Sequence, residues 1–223
     1  MIKLSKRLSE IADMINNKNV LLDVGCDHAL LDIYLLQNKK IKKAIACDIT
    51  KGALNQAEKN IKLYNVKNIE TRLSDGLDKI NNNDKVDVLV LSGLGDVKII
   101  NILKNDLSKL KHINNIIIQS NTGVNKIREY LVSINYFIKE EVLVEENNII
   151  YTIINFEKGR KKYTKKEIKY GPFLLKEKND LFKKIISNNI TSNNKIISKL
   201  NNKKVFKKIK LKINNIYLKN LIR

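Results

Sequence analysis

Short runs of Val, Ile and Leu alternate with stretches whose apolar residues return every three or four positions, and this exchange of period continues through residue 157. The short runs are VLLDVG (20–25), KAIACD (43–48), NIETRL (68–73), VDVLVLSG (86–93) and NIIIQS (115–120), then YFIKEEVLVEE and NIIYTIINFE. Amphipathic stretches near 28–38, 50–65, 96–110 and 124–135 fall between and after the first five, each the length of a crossover helix. Strands alternating with helices predict a parallel sheet covered on both faces. The last two runs are separated by Asn147 and Asn148 alone, which predicts an antiparallel hairpin.

After Phe156 the pattern changes. A polar, basic connector, EKGRKKYTKKEIKYG, leads into two helical patterns, over about 166–190 and about 195–221, separated by NNITSNN. Leu and Ile recur there at three- and four-residue spacing among lysines, which predicts a helical hairpin closing on one apolar seam. The chain therefore divides into 1–157 and 158–223.

Charge sharpens that division. The formal net charge is +20, and Lys, Ile and Asn, all with A/T-rich codons, are abundant. A genomic bias would raise lysine evenly, yet residues 1–158 carry 23 basic and 20 acidic side chains while 159–223 carry 20 and 3. Helices so poor in Glu and Asp lack the pairs that normally balance lysine, and a surface of one sign suits nucleic-acid phosphates. Other classes fall away. No apolar run approaches the ~18 residues of a membrane span, and the N-terminus MIKLSKRLSEIADMI has no apolar core, so no membrane association is expected and the chain reads as cytoplasmic. Cys26 and Cys47 lack metal-ligand spacing and cannot staple the chain, so neither a metal nor a disulfide framework is expected. They are read as small packing residues near a ligand, with catalysis the alternative.

The strand ends carry the chemistry. Asp23-Val24-Gly25-Cys26-Asp27-His28 joins the first strand to its helix, at the edge where open α/β sheets bind ligands. Asp27 stands where a dinucleotide-binding turn has its second glycine, so a pyrophosphate would meet a carboxylate; a sulfonium cofactor carries positive charge instead. Asp48, with Ile49 beside it, ends the second strand where a carboxylate accepts both ribose hydroxyls. Asp75-Gly76 follows the third strand as a candidate acceptor for an adenine amine, and Ser92-Gly93-Leu94-Gly95 follows the fourth as the lining of a transfer site. Four such motifs in register point to S-adenosyl-L-methionine. The strand count, five alternating units closed by a hairpin, is that of an α/β, class I Rossmann-like methyltransferase sheet.

LSKRL (4–8), DVGCDHALL (23–31), SDGL (74–77), SGLGD (92–96), IQSN (118–121), IREYL (127–131) and YGPFLLKEKN (170–179) resemble the bacterial family that methylates ring nitrogen 1 of adenine 22 in tRNA, often called TrmK. The resemblance implies a Rossmann-like catalytic domain, a C-terminal α-helical coiled-coil domain, S-adenosyl-L-methionine as methyl donor and tRNA as partner. Nothing in the residues requires an oligomer. The sequence departs from the family pattern at Asp32, where the family has proline, at Asp96, the last glycine of a GMGG loop, and at Ser120, the proline of a QPN triplet. These departures bear on the target-base pocket more than on cofactor binding.

Ring nitrogen 1 of adenine has its lone pair in the base plane and attacks without first losing a proton, so positioning dominates. Positive charge then develops on the base. Asp27 is the candidate carboxylate to stabilise it and Asn121 the candidate amide to hold the base edge. His28 either orients substrate or shuttles a proton, or it caps the start of its helix. Lys6 and Arg7, in the LSKRL helix, contact phosphate or form a solvated face. Two other functions fit the same residues: a methyltransferase on another RNA, and a catalytically silent RNA-binding protein that keeps the fold.

Overall fold

The computed structural model describes residues 2–201 and 204–223. Met1, at the head of the N-terminal pattern, and Asn202 and Lys203, inside the second tail pattern, lie outside the described residues. Seven strands form one sheet in the order β3-β2-β1-β4-β5-β7-β6. They are β1 Lys18–Val24, β2 Ile41–Asp48, β3 Ile69–Leu73, β4 Val88–Leu94, β5 Asn115–Ser120, β6 Tyr136–Glu146 and β7 Ile149–Lys158. The first five run parallel, and β7 enters antiparallel between β5 and β6. The expected class I methyltransferase sheet is present, and Asn147 and Asn148 turn its hairpin with positive φ of 52° and 62°.

Burial on both faces explains the continuous apolar runs. Leu22, Val24, Leu89, Leu91, Ile116 and Ile118 face one core, with α4 (Asp96–Asn105) and α5 (Val124–Ser133) over it. Their neighbours Leu21, Val88, Val90 and Ile117 face the other, beneath α1 (Lys6–Asp13) and α2 (Leu30–Gln37). α3 (Lys51–Leu63) covers β2 and β3, its N-terminus capped by Thr50, which accepts from the Ala53 N–H at 3.3 Å. The helix expected over 96–110 ends at Asn105, and a 3-10 turn at Lys109–His112 completes the stretch.

The tail is segmented differently from its sequence pattern. Its first half is three helices, α6 (Lys165–Tyr170), α7 (Pro172–Glu177) and α8 (Asp180–Lys199), because Gly171 (φ 91°) precedes Pro172, and Lys178 turns left-handed before Asn179 caps α8. NNITSNN, expected to separate two helices, lies wholly inside α8. The loop tendency of its asparagines is overridden by contacts with α9 (Val205–Ile222): Asn193 donates to Asn215 Oδ1, and Asn215 donates to Asn194 Oδ1, both at 2.8 Å. A polar bridge inside an apolar helix seam favours one register.

Two contacts dock this hairpin on the sheet. Leu174, Phe182, Ile186, Leu218 and Leu221 pack around Leu143 of β6. Beside them Arg128 of α5 and Glu141 of β6 form a buried ion pair at 2.5 Å, and the Phe173 N–H donates to the other Glu141 oxygen at 3.3 Å. A Cβ on Gly171 would lie 2.5 Å from that oxygen, so the chain passes only as glycine. Among the described residues, no helix is long and apolar enough to cross a membrane, and no group of three or more His, Cys, Asp or Glu is placed to hold a metal.

Candidate active site

A cleft of about 380 Å³ opens at the carboxyl ends of β1, β2, β3 and β4. It gathers Asp23, Gly25, Asp27, His28, Asp48, Ile49, Asp75, Gly76, Ser92 and Gly93, all ten residues expected to contact the cofactor. Parallel pairing puts the ends of β1, β2 and β4 side by side, so motifs distant in sequence share one rim.

The β1 turn is shaped by backbone. Gly25 has φ of 80°, and the Gly25 and Cys26 N–H groups both donate to the Cys47 carbonyl, at 2.8 and 3.0 Å. This folds the chain back along β2 and leaves the turn open to a ligand. Asp27 (φ 51°) projects outward with 72% of its side chain exposed, and His28 Nε2 lies 3.3 Å from its Oδ2. His28 does not cap α2: Ala29 holds that position with no side-chain hydrogen bond, and the His28 carbonyl instead accepts from Asn60 Nδ2 at 2.9 Å. Cys26 and Cys47 are packing residues. Burial raises the Cys26 thiol pKa far above its ordinary value and pushes that of Cys47 up to about 12, so both stay protonated and unreactive.

Asp48 is held in place by its own loop. Its Oδ1 accepts from the Thr50 N–H and hydroxyl, each at 2.9 Å, which fixes the carboxylate plane. Asp75 is exposed at the rim, and Gly76 (φ 57°) leaves no room for a Cβ, which would sit 3.0 Å from Ile102. Arg72 anchors this loop. Its guanidinium donates to both oxygens of Asp84 at 2.7 and 2.6 Å, to Glu70 at 2.6 Å and to the Lys79 carbonyl at 3.1 Å. It holds the Glu70 carboxyl down to about 2.

At the end of β4 a bulge between Ser92 and Leu94 is organised by Gln119 of β5, to which the sequence pattern assigns no role. Gln119 is fully buried, and its Oε1 accepts from Arg7 at 2.5 Å, the Gly93 N–H at 2.9 Å and the Ser92 hydroxyl at 3.2 Å. Its Nε2 donates to Asn121 Oδ1 at 3.1 Å. Asn121 Nδ2 in turn donates to the Gly93 carbonyl at 2.9 Å. Asn121 therefore braces the Gly93 bulge and, like Gln119 and unlike Ser92 and Gly93, does not line the cleft. Arg7 does, reaching it from α1 with its guanidinium 5.4 Å from the Tyr151 ring, so it is not part of a solvated face. Leu8, in the same LSKRL motif as Arg7, and Lys98, which belongs to no motif, also line the cleft. Their places depend on how α1 and α4 cross the sheet end, which periodicity does not encode.

The departures at Asp96 and Ser120 tie two loops together. Asp96 accepts from the Thr122 hydroxyl at 2.6 Å and pairs with Lys126 at 3.2 Å, and both hold its carboxyl below the usual range. The Ser120 hydroxyl lies 3.0 Å from the Leu94 carbonyl.

The donors and acceptors present fit a nucleoside with a cationic side chain. Carboxylates end β1, β2 and β3 around the cleft, an unfavourable lining for a pyrophosphate and a favourable one for ammonium and sulfonium groups.

Comparison with known proteins agrees. Residues 21–220 match the family described as tRNA (adenine(22)-N(1))-methyltransferase, TrmK. The tRNA (adenine(22)-N(1))-methyltransferase of Bacillus subtilis is 35% identical over 190 residues, 82% of this chain and 79% of that protein. The solved structure of M. capricolum TrmK in complex with S-adenosyl-homocysteine is 36% identical and superposes with a TM-score of 0.88 over 99% of each chain. That of the B. subtilis M1A22 tRNA methyltransferase TrmK is 31% identical, with a TM-score of 0.88 over 100% of each chain.

Proposed function

Given that the chain belongs to the tRNA (adenine(22)-N(1))-methyltransferase family, we propose that it binds S-adenosyl-L-methionine in the β1–β4 cleft and methylates ring nitrogen 1 of adenine 22 in tRNA. The observation that carries this reading is the convergence of the Gly25 turn, Asp48, Asp75-Gly76 and the Ser92-Gly93 bulge on one cleft.

The cofactor supplies an electrophilic methyl group on a sulfonium. Asp48 accepts from the ribose hydroxyls, its orientation set by Thr50. Asp75 accepts from the adenine amine, while Gly25 and Gly76 admit the ligand against backbone. Ser92, Gly93 and Arg7 line the transfer side, fixed by Gln119 and Asn121. The target nitrogen attacks in line, and Asp27, steered by His28, faces the positive charge that develops on the base. Catalytic roles therefore fall to Asp27 and His28, and Asn121 is a positioning residue.

That nitrogen lies on the pairing edge of adenine, so the base leaves its stack before reacting, at a cost of a few kcal/mol. Binding to the rest of the RNA meets that cost. Residues 158–223 are the tRNA-binding domain and 1–157 the catalytic one: the exposed lysines of α8 and α9 contact phosphates, and the protein works in the cytoplasm with its tRNA. The test is incubation of the full-length protein with methyl-labelled S-adenosyl-L-methionine and unmodified total tRNA or ribosomal RNA, followed by nucleoside analysis. 1-Methyladenosine in tRNA alone is expected. Label in ribosomal RNA would move the activity to another RNA, and cofactor binding without transfer to either would make this a silent RNA-binding protein.

A further inference from the structure

Behind the cleft lies a carboxyl that the reaction does not use. Asp32, in the first turn of α2, is fully buried, and no donor from another residue reaches either of its oxygens. The group facing it is Asp23, at the end of β1, which is 5% exposed and lines the cleft; the two carboxyls lie within hydrogen-bonding reach of each other. Carboxylates are acceptors only, so that contact is favourable only when one of them carries a proton.

The surroundings supply no compensating cation. Asp27 in the turn and Asp48 at the end of β2 add negative potential at Asp23, and the thiols of Cys26 and Cys47 are neutral. Arg7, His28 and Lys98 line the same cleft, yet among the described residues none forms an ion pair with Asp23 or Asp32. Burial foremost, then repulsion by Asp32, raises the Asp23 pKa well above the ordinary carboxyl range. Burial also raises that of Asp32.

We propose that Asp23 and Asp32 share one proton in the ligand-free protein and that the ammonium group of S-adenosyl-L-methionine displaces it, making Asp32 a positioning residue through which cofactor binding is linked to proton release. The inference rests on the cofactor reading above. In the exchange the carboxyl O–H bond breaks, the proton passes to solvent, and an ammonium N–H donates to Asp23 in its place; no electrons change hands. One cation leaves as another arrives, so the buried pair is never left with two uncompensated charges.

Calorimetric titration of the full-length protein with S-adenosyl-homocysteine, which keeps the ammonium and lacks the methyl, tests this in buffers of different ionisation enthalpy. At about pH 6 the wild type should release on the order of one proton per ligand. Its affinity should rise up to about tenfold per pH unit below the pKa of the pair and level off above it. In Asp32→Asn the repulsion is gone and the amide donates to Asp23, which favours its ionised form against the burial that remains, so both the proton release and the pH dependence should fall well below those of the wild type. Infrared difference spectra of the wild type need no variant: ligand should abolish the carbonyl stretch of a buried protonated carboxyl. No proton release by the wild type, equal release by Asp32→Asn, or an unchanged carboxyl band would overturn the proposal. Failure of S-adenosyl-homocysteine to bind at any pH would overturn the cofactor reading on which it stands.

Discussion

Replacing Gln119 by Met keeps the length of the side chain and removes its four hydrogen bonds at once. The Gly93 N–H loses its acceptor inside a part-buried bulge, a cost of about 1–3 kcal/mol. The bond from Arg7 is charge-assisted, but that side chain is 25% exposed and keeps Tyr151 and Glu146 beside it, so water recovers most of its share. The bonds to Ser92 and Asn121 are neutral, and both residues retain other partners. The sum is about 2–4 kcal/mol of stability. In a domain of this size each kcal/mol moves the melting temperature by about 2–4 °C, so thermal unfolding should fall by roughly 5–15 °C. Catalysis should suffer separately, because the bulge that lines the transfer side is no longer fixed, and a shift of about 1 Å there costs on the order of a hundredfold in kcat. Affinity for S-adenosyl-homocysteine should change only a few-fold, since Asp48 and Asp75 do not touch Gln119. Differential scanning calorimetry, ligand titration and single-turnover methylation measure the three quantities. A variant with normal single-turnover rate at saturating cofactor would refute the claim that Gln119 sets the transfer geometry.

Asp48→Ala should weaken cofactor binding by about 1–3 kcal/mol while leaving tRNA affinity unchanged; equal cofactor affinity by calorimetry would remove Asp48 from the ribose role. Asp27→Asn keeps shape and loses charge, so its single-turnover rate at saturating cofactor should drop on the order of a hundredfold, and a near-normal rate would mean that Asp27 does not stabilise the product cation. Arg72 lowers the pKa of Glu70 and of Asp84, which makes its contribution complete above the ordinary carboxylate range and lost as pH falls through about 4 towards about 2. Arg72→Ala should therefore cost about 1.5–3 kcal/mol at neutral pH, mostly through Asp84, whose side chain is 7% exposed against 43% for Glu70, and clearly less near pH 3; denaturant titrations showing a pH-independent deficit would contradict this. Changing the exposed Lys207, Lys210 and Lys212 of α9 to Gln should flatten the salt dependence of tRNA binding by up to about 0.7–0.9 for each phosphate no longer neutralised, and an unchanged slope would place recognition elsewhere.

The sheet and the cofactor side of the cleft are legible in the sequence because both depend on local signals. Strand runs buried on two faces are continuous and apolar, and the first three end in or beside a carboxylate that lines the cleft. Asp23, Asp48 and Asp75 can be placed from their strand ends alone. What escapes depends on tertiary contact. Gln119 is one polar residue in the apolar run NIIIQS, and only the pairing of β4 with β5 shows that its amide meets Gly93. Asn121 has the sequence context of a free amide, whereas Gln119 occupies one end of its side chain and the Gly93 carbonyl the other. The asparagines of NNITSNN carry the composition of a turn, but Asn215 on the facing helix uses two of them as partners. Asp32 sits at a position that a helix pattern marks only as first turn, where acids are ordinary; its meaning comes from the carboxyl opposite.

Methylation at adenine 22 is measured most directly by the yield of 1-methyladenosine from two otherwise identical tRNA transcripts, one with adenine and one with guanine at position 22, incubated with the full-length protein and S-adenosyl-L-methionine. One methyl group per tRNA on the adenine transcript and none on the guanine transcript is the predicted result. Equal labelling of both transcripts, or label recovered as an exocyclic methylamine, would contradict it.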